Sequence, residues 1–488
     1  MFSYYEYPDT SDWNNPSRSN KNFLSLPAEV LDQIISELDL RSDLTSLALA
    51  NRTCYHLVVP RHSEYRVIRT RHRLAAMWGH LARRSDLARN VRKVHCCSKD
   101  NHTTPDQYPS SLVPQGPSNP QQELHLELTR LSNICIALRH MTHLQEFIWE
   151  NPDDQQLSSS LSACNEGDIL ESLGESTRLT HLSLSGAMRL RPSSPARQLE
   201  QIWNMKHLRY VCLRGEVWGL PSMGGIVQEF LMQSPLLEFL EVPLEITSLA
   251  DSLFPSLKKL RLFLQSGAGS SSAKSWSTFV ANHLALEEFS CTPLLVNLPA
   301  DGLPLLKCFQ TDINSLGEFG TAHNTPSLDS IDATLPLNSL GEKFLKSGNC
   351  SNLRRLCLRT WPTTAFLRFT KVFPNLTWLS VEQCPVMQLD NLLCYLSQFR
   401  YLEVFRGHAI WKSVDYNDDR MHLAIVKLVQ MCLNLRELDH RTYYAKRRAY
   451  KRIVITREEQ EDGSLGVTYE VRKPPPRSCF DTAGGIFD

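Results

Sequence analysis

Residues 234–263 read SPLLEFLEVPLEITSLADSLFPSLKKLRLF, and the phrase apolar-x-x-apolar-x-apolar stands in them twice, as Leu237-Leu240-Val242 and Leu257-Leu260-Leu262. The last two apolar positions of each phrase lie two apart, the period at which side chains return to one face of a strand. A proline, Pro235 or Pro255, precedes each first leucine by two residues. Upstream the phrase recurs as Val91-Val94-Cys96, Leu144-Phe147-Trp149, Leu179-Leu182-Leu184 and Leu208-Val211-Leu213. Downstream it recurs as Leu286-Phe289-Cys291, Leu306-Phe309, Leu328-Ile331-Ala333, Leu353-Leu356-Leu358, Leu376-Leu379-Val381, Leu402-Phe405 and Leu435-Leu438. The first leucines from Leu208 to Leu402 are 20 to 29 residues apart, a period that belongs to stacked repeat units.

Several spacers carry helical patterns: GGIVQEFLMQS (224–234), TTAFLRFTKVF (363–373), DNLLCYLSQF (390–399) and MHLAIVKLVQMC (421–432). One strand plus one helix cannot bury its own apolar face, so such units must stack. The expected fold class is therefore α/β: over residues 91–440, a curved solenoid with parallel strands along a concave face and helices along the other. The phrase and its period resemble leucine-rich repeats, with Cys384 at the place of that family's asparagine or cysteine ladder. Loops are expected at 98–122, which holds five prolines, at 186–198, and at 266–272, SGAGSSS. Two β-rich runs around Asp462-Gly463 signal a hairpin within 441–488, placed to cap the last repeat.

Ahead of the repeats, residues 1–22 form a polar tail, expected to be disordered. The text FLSLPAEVLDQIISELDLRSDLTSLALANRTCYHLVVPRH (23–62) then reads as three short helices. Ser25 can cap the first, Pro27 suits its opening turn, and Glu29 favours the positive end of its dipole. Val30, Leu31, Ile34, Ile35 and Leu38 recur at helical spacing, with Asp32, Gln33, Ser36 and Glu37 on the other face. Asp43 or Ser42 can cap a second helix carrying Leu44, Leu47, Ala48 and Leu49, and a third begins near Thr53 and stops before Pro60. A buried leucine contributes about 1.5–3 kcal/mol, and so small a unit without a metal or disulfide pattern needs a partner surface to complete its core. Covering the end of the repeats would be one such use.

Leu26-Pro27-x-Glu29-Val30-Leu31-x-x-Ile34-x-x-x-Leu38, followed by Leu40-Arg41-Ser42-Asp43-Leu44 and Leu47, resembles the F-box motif. The resemblance implies docking to the Skp adaptor of a Skp–cullin–F-box ubiquitin ligase through Leu26, Pro27, Glu29, Val30, Leu31, Ile34, Leu38, Leu44 and Leu47. It departs from the motif where many F-boxes carry Val-Cys and a later tryptophan, since Ala50-Asn51 and Tyr55 stand there. F-box, degenerate repeats and a tail ending Gly-Ile-Phe-Asp together resemble fungal F-box substrate receptors. The function implied is capture of a protein substrate for ubiquitination; a ligase-independent repeat scaffold is the alternative.

Lysine plus arginine and aspartate plus glutamate both number 52, so no global field draws in nucleic acid or an anionic membrane. Ten basic residues between Arg61 and Lys93, against Glu64 and Asp86, read as the solvated face of a basic helical connector, 63–90. YYAKRRAYKR (443–452) reads as a charged edge guard or an import signal. No secretory signal and no apolar span of roughly 18 residues is present, so an intracellular place in cytoplasm or nucleus is expected. The 14 cysteines include no C-x-x-C, and no phosphate-cradling loop, dinucleotide fingerprint or nucleophile elbow is found. No catalysis and no cofactor is expected. His95-Cys96-Cys97 with His102 is no evident metal site, because adjacent cysteines in a strand cannot both reach one tetrahedral centre; Cys96 is assigned to the core.

Alternation along the strand phrases turns the residues between the leucines toward the concave face. Tyr210, Arg214, Phe239, Lys259, Arg261, Phe263, Arg355, Arg359 and Trp378 then form a basic and aromatic strip, interrupted by Glu241, Glu288, Asp332 and Glu382. Such a strip suits an acidic or phosphorylated target segment; an ordinary mixed surface is the competing reading.

Overall fold

The structure, a computed structural model, describes residues 23–38, 40–71, 74–97, 107–109, 120–151, 167–186, 205–265, 271–292, 296, 303–312, 329–334, 352–361, 370–440, 451–459 and 465–472. The chain divides into two compact units, Met1–Arg66 and Val67–Asp488.

The first unit holds three helices, α1 (Ala28–Ser36), α2 (Arg41–Ala50) and α3 (Arg52–Val58). Pro27 itself is the N-cap of α1, and Ser25 lies in a short 3-10 turn, so the expected serine cap is not used. Helix α2 likewise starts without a side-chain cap at Leu40, which leaves Ser42 and Asp43 inside its first turn. Only α3 is capped by a side chain: the Asn51 amide oxygen accepts from the Cys54 N–H at 2.9 Å. Ile35, Leu44, Ala48 and Val58 form the core, with Leu38, Leu47, Leu57 and Val59 packed against it.

The second unit is organised by one sheet whose sixteen strands lie side by side in chain order. They are β1 (Val67–Arg71), β2 (Lys93–Cys97), β3 (Glu146–Asn151), β4 (His181–Gly186), β5 (Tyr210–Leu213), β6 (Phe239–Pro243), β7 (Lys259–Phe263) and β8 (Glu288–Thr292), then β9 (Cys308–Asp312), β10 (Ser330–Thr334), β11 (Arg355–Thr360), β12 (Trp378–Gln383), β13 (Val404–Arg406), β14 (Glu437–Asp439), β15 (Arg452–Glu459) and β16 (Leu465–Arg472). Neighbours are parallel from β1 to β14, whereas β14–β15 and β15–β16 pair antiparallel.

Each parallel step needs a crossover, and the helices supply several of them. Helices α4 (Ala75–Arg83) and α5 (Ser85–Ala88) join β1 to β2, α6 (Pro120–His140) leads to β3, and α7 (Gly167–Gly174) leads to β4. Further along, α8 (Gly224–Met232) precedes β6, α9 (Ser271–Asn282) precedes β8, α10 (Leu389–Ser397) precedes β13, and α11 (Ala409–Ser413) with α12 (Asp418–Met431) precedes β14. A 3-10 turn, Thr247–Asp251, spans the short step from β6 to β7. The second apolar position of every strand phrase lies on one register line, from Val94 through Leu240 and Phe289 to Leu438, and none of these residues is more than 1% exposed. The core therefore runs the length of the parallel sheet.

Three boundaries differ from expectation. The segment 63–90 is not a purely helical connector, since β1 lies within it and pairs with β2, Ile68 opposite Val94. Helix α6 opens at Pro120, inside the loop expected at 98–122, and α9 opens at Ser271, inside that expected at 266–272. The antiparallel strands β15 and β16 extend the same sheet past residue 440. Residues 1–22, 187–198, 443–450 and Asp462-Gly463 lie outside the described residues.

Candidate protein-docking surfaces

Helix α1 turns Leu31, Asp32, Ile35 and Ser36 inward. Asp32 and Ser36 were expected on the polar outer face, and their partners explain the rotation. The Asp32 carboxylate accepts from Arg61 Nη1 at 3.2 Å and contacts His62 Nε2 at 2.9 Å, with the His62 side chain fully buried. Burial holds His62 below the ordinary histidine pKa against the opposing pull of Asp32. The buried Arg66 guanidinium donates to Ile35 O at 2.8 Å and Ser36 O at 3.3 Å, satisfying carbonyls at the negative end of α1.

With those polar groups inside, aliphatic side chains are left outside. Leu26, Val30 and Ile34, spaced four apart, are 39%, 40% and 41% exposed. Leu40, Leu49 and Tyr55 are exposed as well. Single exposed leucines are ordinary, but so many on a unit this small is the signature of an unpartnered face. Of the residues assigned to adaptor docking, Leu26, Pro27, Glu29, Val30 and Ile34 are exposed, Leu38 and Leu47 are half-buried, and Leu31 and Leu44 belong to the core.

On the sheet, the face opposite the core carries a second register line: Lys93, Glu146, His181, Tyr210, Phe239, Lys259, Glu288, and onward to Arg355 and Trp378. Tyr210 stacks on Phe239 with centroids 4.1 Å apart and planes 6° apart, and His181 stacks on Tyr210 at 5.6 Å. Both Tyr210 and Phe239 are buried. Lys259 pairs with Glu288 at 2.6 Å, Arg214 with Glu241, and Arg261 lies 3.9 Å from Glu241 and 5.2 Å over the Phe239 ring. The Arg355 guanidinium sits 5.3 Å over Trp378, and Phe263 is half-buried. The side chain of Arg359 lies outside the described residues.

The expected residues fall into two groups, one at β5 to β7 and one on β11 and β12, with β8 to β10 between them, and three of the cations already face carboxylates. Two of the interrupting acids, Glu241 and Glu288, are partners of nominated bases, a pairing that only the strand register reveals, while the side chains of Asp332 and Glu382 lie outside the described residues.

Burial pushes the Cys212 and Cys432 thiols up to about 12 and Cys384 up to about 11, so none of these three is an activated nucleophile. Cys96 is fully buried in the core and likewise raised by burial. Among the described residues no helix is long and apolar enough to cross a membrane.

No protein-family model matches the chain, and no curated protein does. Among solved structures, the crystal structure of the Rad7 and Elc1 complex in yeast is similar, with a TM-score of 0.41 and 11% identity over 78% of this chain and 88% of that chain. A likeness that weak does not establish a shared fold.

Proposed function

We propose that the chain is the substrate-recognition subunit of a Skp–cullin–F-box ubiquitin ligase, with residues 23–62 as the F-box and the strand-and-helix repeats as a leucine-rich-repeat-like solenoid closed by the β15–β16 hairpin. The observation that carries this reading is the apolar stripe Leu26, Val30 and Ile34, held outward by burial of Asp32 on the opposite side of α1. Its sequence setting is the F-box-like order of Leu-Pro, acid and spaced aliphatics. Docking to the Skp adaptor buries that stripe, and through the adaptor the chain joins a cullin.

The repeats hold the target on the outward sheet face around Arg214, Lys259, Arg261, Phe263, Arg355, Arg359 and Trp378, with the buried Tyr210 stacked on Phe239 beside them. Catalysis then needs no group on this chain: a bound target's lysines gain effective concentration near the charged ubiquitin-conjugating enzyme. The protein works inside the cell, in cytoplasm or nucleus, without a cofactor.

The test is adaptor binding by the purified full chain, read by co-purification and calorimetry, for wild type against Val30→Asp and Ile34→Asp. Both positions are exposed, so the variants keep the three-helix core. Binding by wild type and its loss in both variants supports the proposal. A folded wild type that does not bind the adaptor leaves a ligase-independent scaffold as the better account.

A further inference from the structure

The histidine and cysteines at 95–97 look unpromising by spacing, but the second unit sorts them. Cys96 turns into the core, while His95 and Cys97, two apart on β2, turn together to the other face. The parallel register sets His95 opposite Ile148 and Cys96 opposite Trp149, so the next pair brings Glu150 of β3 beside Cys97. One donor atom from each of His95, Cys97 and Glu150 lies within 4.8 Å of the other two. His95 and Cys97 are 2% and 3% exposed, whereas the Glu150 side chain is 28% exposed.

We propose that His95, Cys97 and Glu150 form a three-donor site for a zinc-class divalent cation, clipping β2 to β3. Imidazole, thiolate and carboxylate are the donor types that zinc prefers, and bonds of about 2.0–2.3 Å to a tetrahedral ion set its ligands roughly 3–4 Å apart. The separation of His95 Nε2 from Glu150 Oε1, 3.2 Å, already falls in that range. A divalent ion balances one thiolate and one carboxylate, which removes the cost of holding both charges in a largely buried place. The soft sulfur donor disfavours magnesium and calcium. Three protein donors leave a fourth position on the accessible Glu150 side, open to water or to an outside donor. The competing arrangement is a metal-free His95–Glu150 pair beside the Cys97 side chain, with Arg69 next to His95 on β1.

Cobalt(II) titrated into the purified, metal-stripped full chain separates the two, with zinc affinity measured by competition. The site predicts one equivalent of cobalt with a thiolate-to-cobalt charge-transfer band and intense tetrahedral d–d absorption. Cys97→Ser should abolish the thiolate band, and Glu150→Gln should weaken zinc at least about tenfold. Circular dichroism checks the folding of each variant; Glu150, the most accessible donor, is the least disruptive to change, so it decides if Cys97→Ser does not fold. No thiolate band in wild type, or an unchanged zinc affinity in Glu150→Gln, overturns the site and leaves the His95–Glu150 pair.

Discussion

At the scale of single residues, His283 shows how burial fixes a protonation state. Its Nε2 takes the Phe254 N–H at 2.9 Å, its Nδ1 faces Phe279 O at 2.7 Å, and its ring stacks on Phe279 at 4.0 Å. One nitrogen must accept and the other donate, so only the neutral ring fits, and burial holds the pKa below 6.5. A depressed pKa means that the unfolded chain binds the proton more tightly. Stability from this residue is full above about pH 6.5 and is lost as pH falls through the lower native value. Urea unfolding followed from pH 7.5 to pH 5 should show wild type losing stability and His283→Gln losing less over the same interval; equal slopes would remove His283 from the account. Gly215 and Gly407 make a steric point instead. Their φ values are 132° and 111°, and a Cβ on either would stand 2.1 Å from a carbonyl oxygen of the preceding strand segment, Gly186 O or Val381 O. Gly407→Ala should cost about 1–3 kcal/mol, measured by thermal unfolding.

At the scale of elements, α1 separates stability from the proposed docking. Leu31→Ala should destabilise the first unit by about 2–5 kcal/mol and raise hydrogen exchange throughout residues 23–66. Ile34→Ala should leave stability within about 0.5 kcal/mol while weakening adaptor binding; the reverse pattern would mean that the helix is rotated from the position described. That rotation is what the sequence could not disclose. Val30, Leu31, Ile34 and Ile35 all read as one greasy face, and only the pairing of Asp32 with Arg61 and His62 decides which half turns inward. The strand phrases were legible because most of them put two apolar residues at period two, and β5 to β8 stand where those residues predict. Strand β1 escaped because Tyr65-x-x-Ile68-x-Thr70 ends on threonine and its alternate residues are arginines, which read as a charged helix face. The His95, Cys97 and Glu150 cluster escaped for another reason: its donors come from two strands, and spacing along one strand cannot report a neighbour in register.

At the scale of the whole molecule, the sheet order has a mechanical consequence for the second unit. Apart from a single bridge between Arg69 of β1 and Gln107, the described strands pair only with their neighbours in the chain, so an element receives its support chiefly from adjacent units. Damage should then spread by distance along the sheet rather than all at once. Phe289 on β8 is fully buried, stacked at 5.9 Å on Phe309 of β9 and opposite Leu260 of β7. Phe289→Ala removes a ring that both neighbours pack against and should cost about 3–5 kcal/mol. Hydrogen exchange in the variant should accelerate most in β7, β8 and β9, less in β6 and β10, and hardly at all in β2 to β4. Equal acceleration in every strand would mean that the sheet opens as one cooperative block. The local outcome bears on the proposed function, because a face whose strands open nearly independently adjusts to a bound target locally while distant strands keep their pairing.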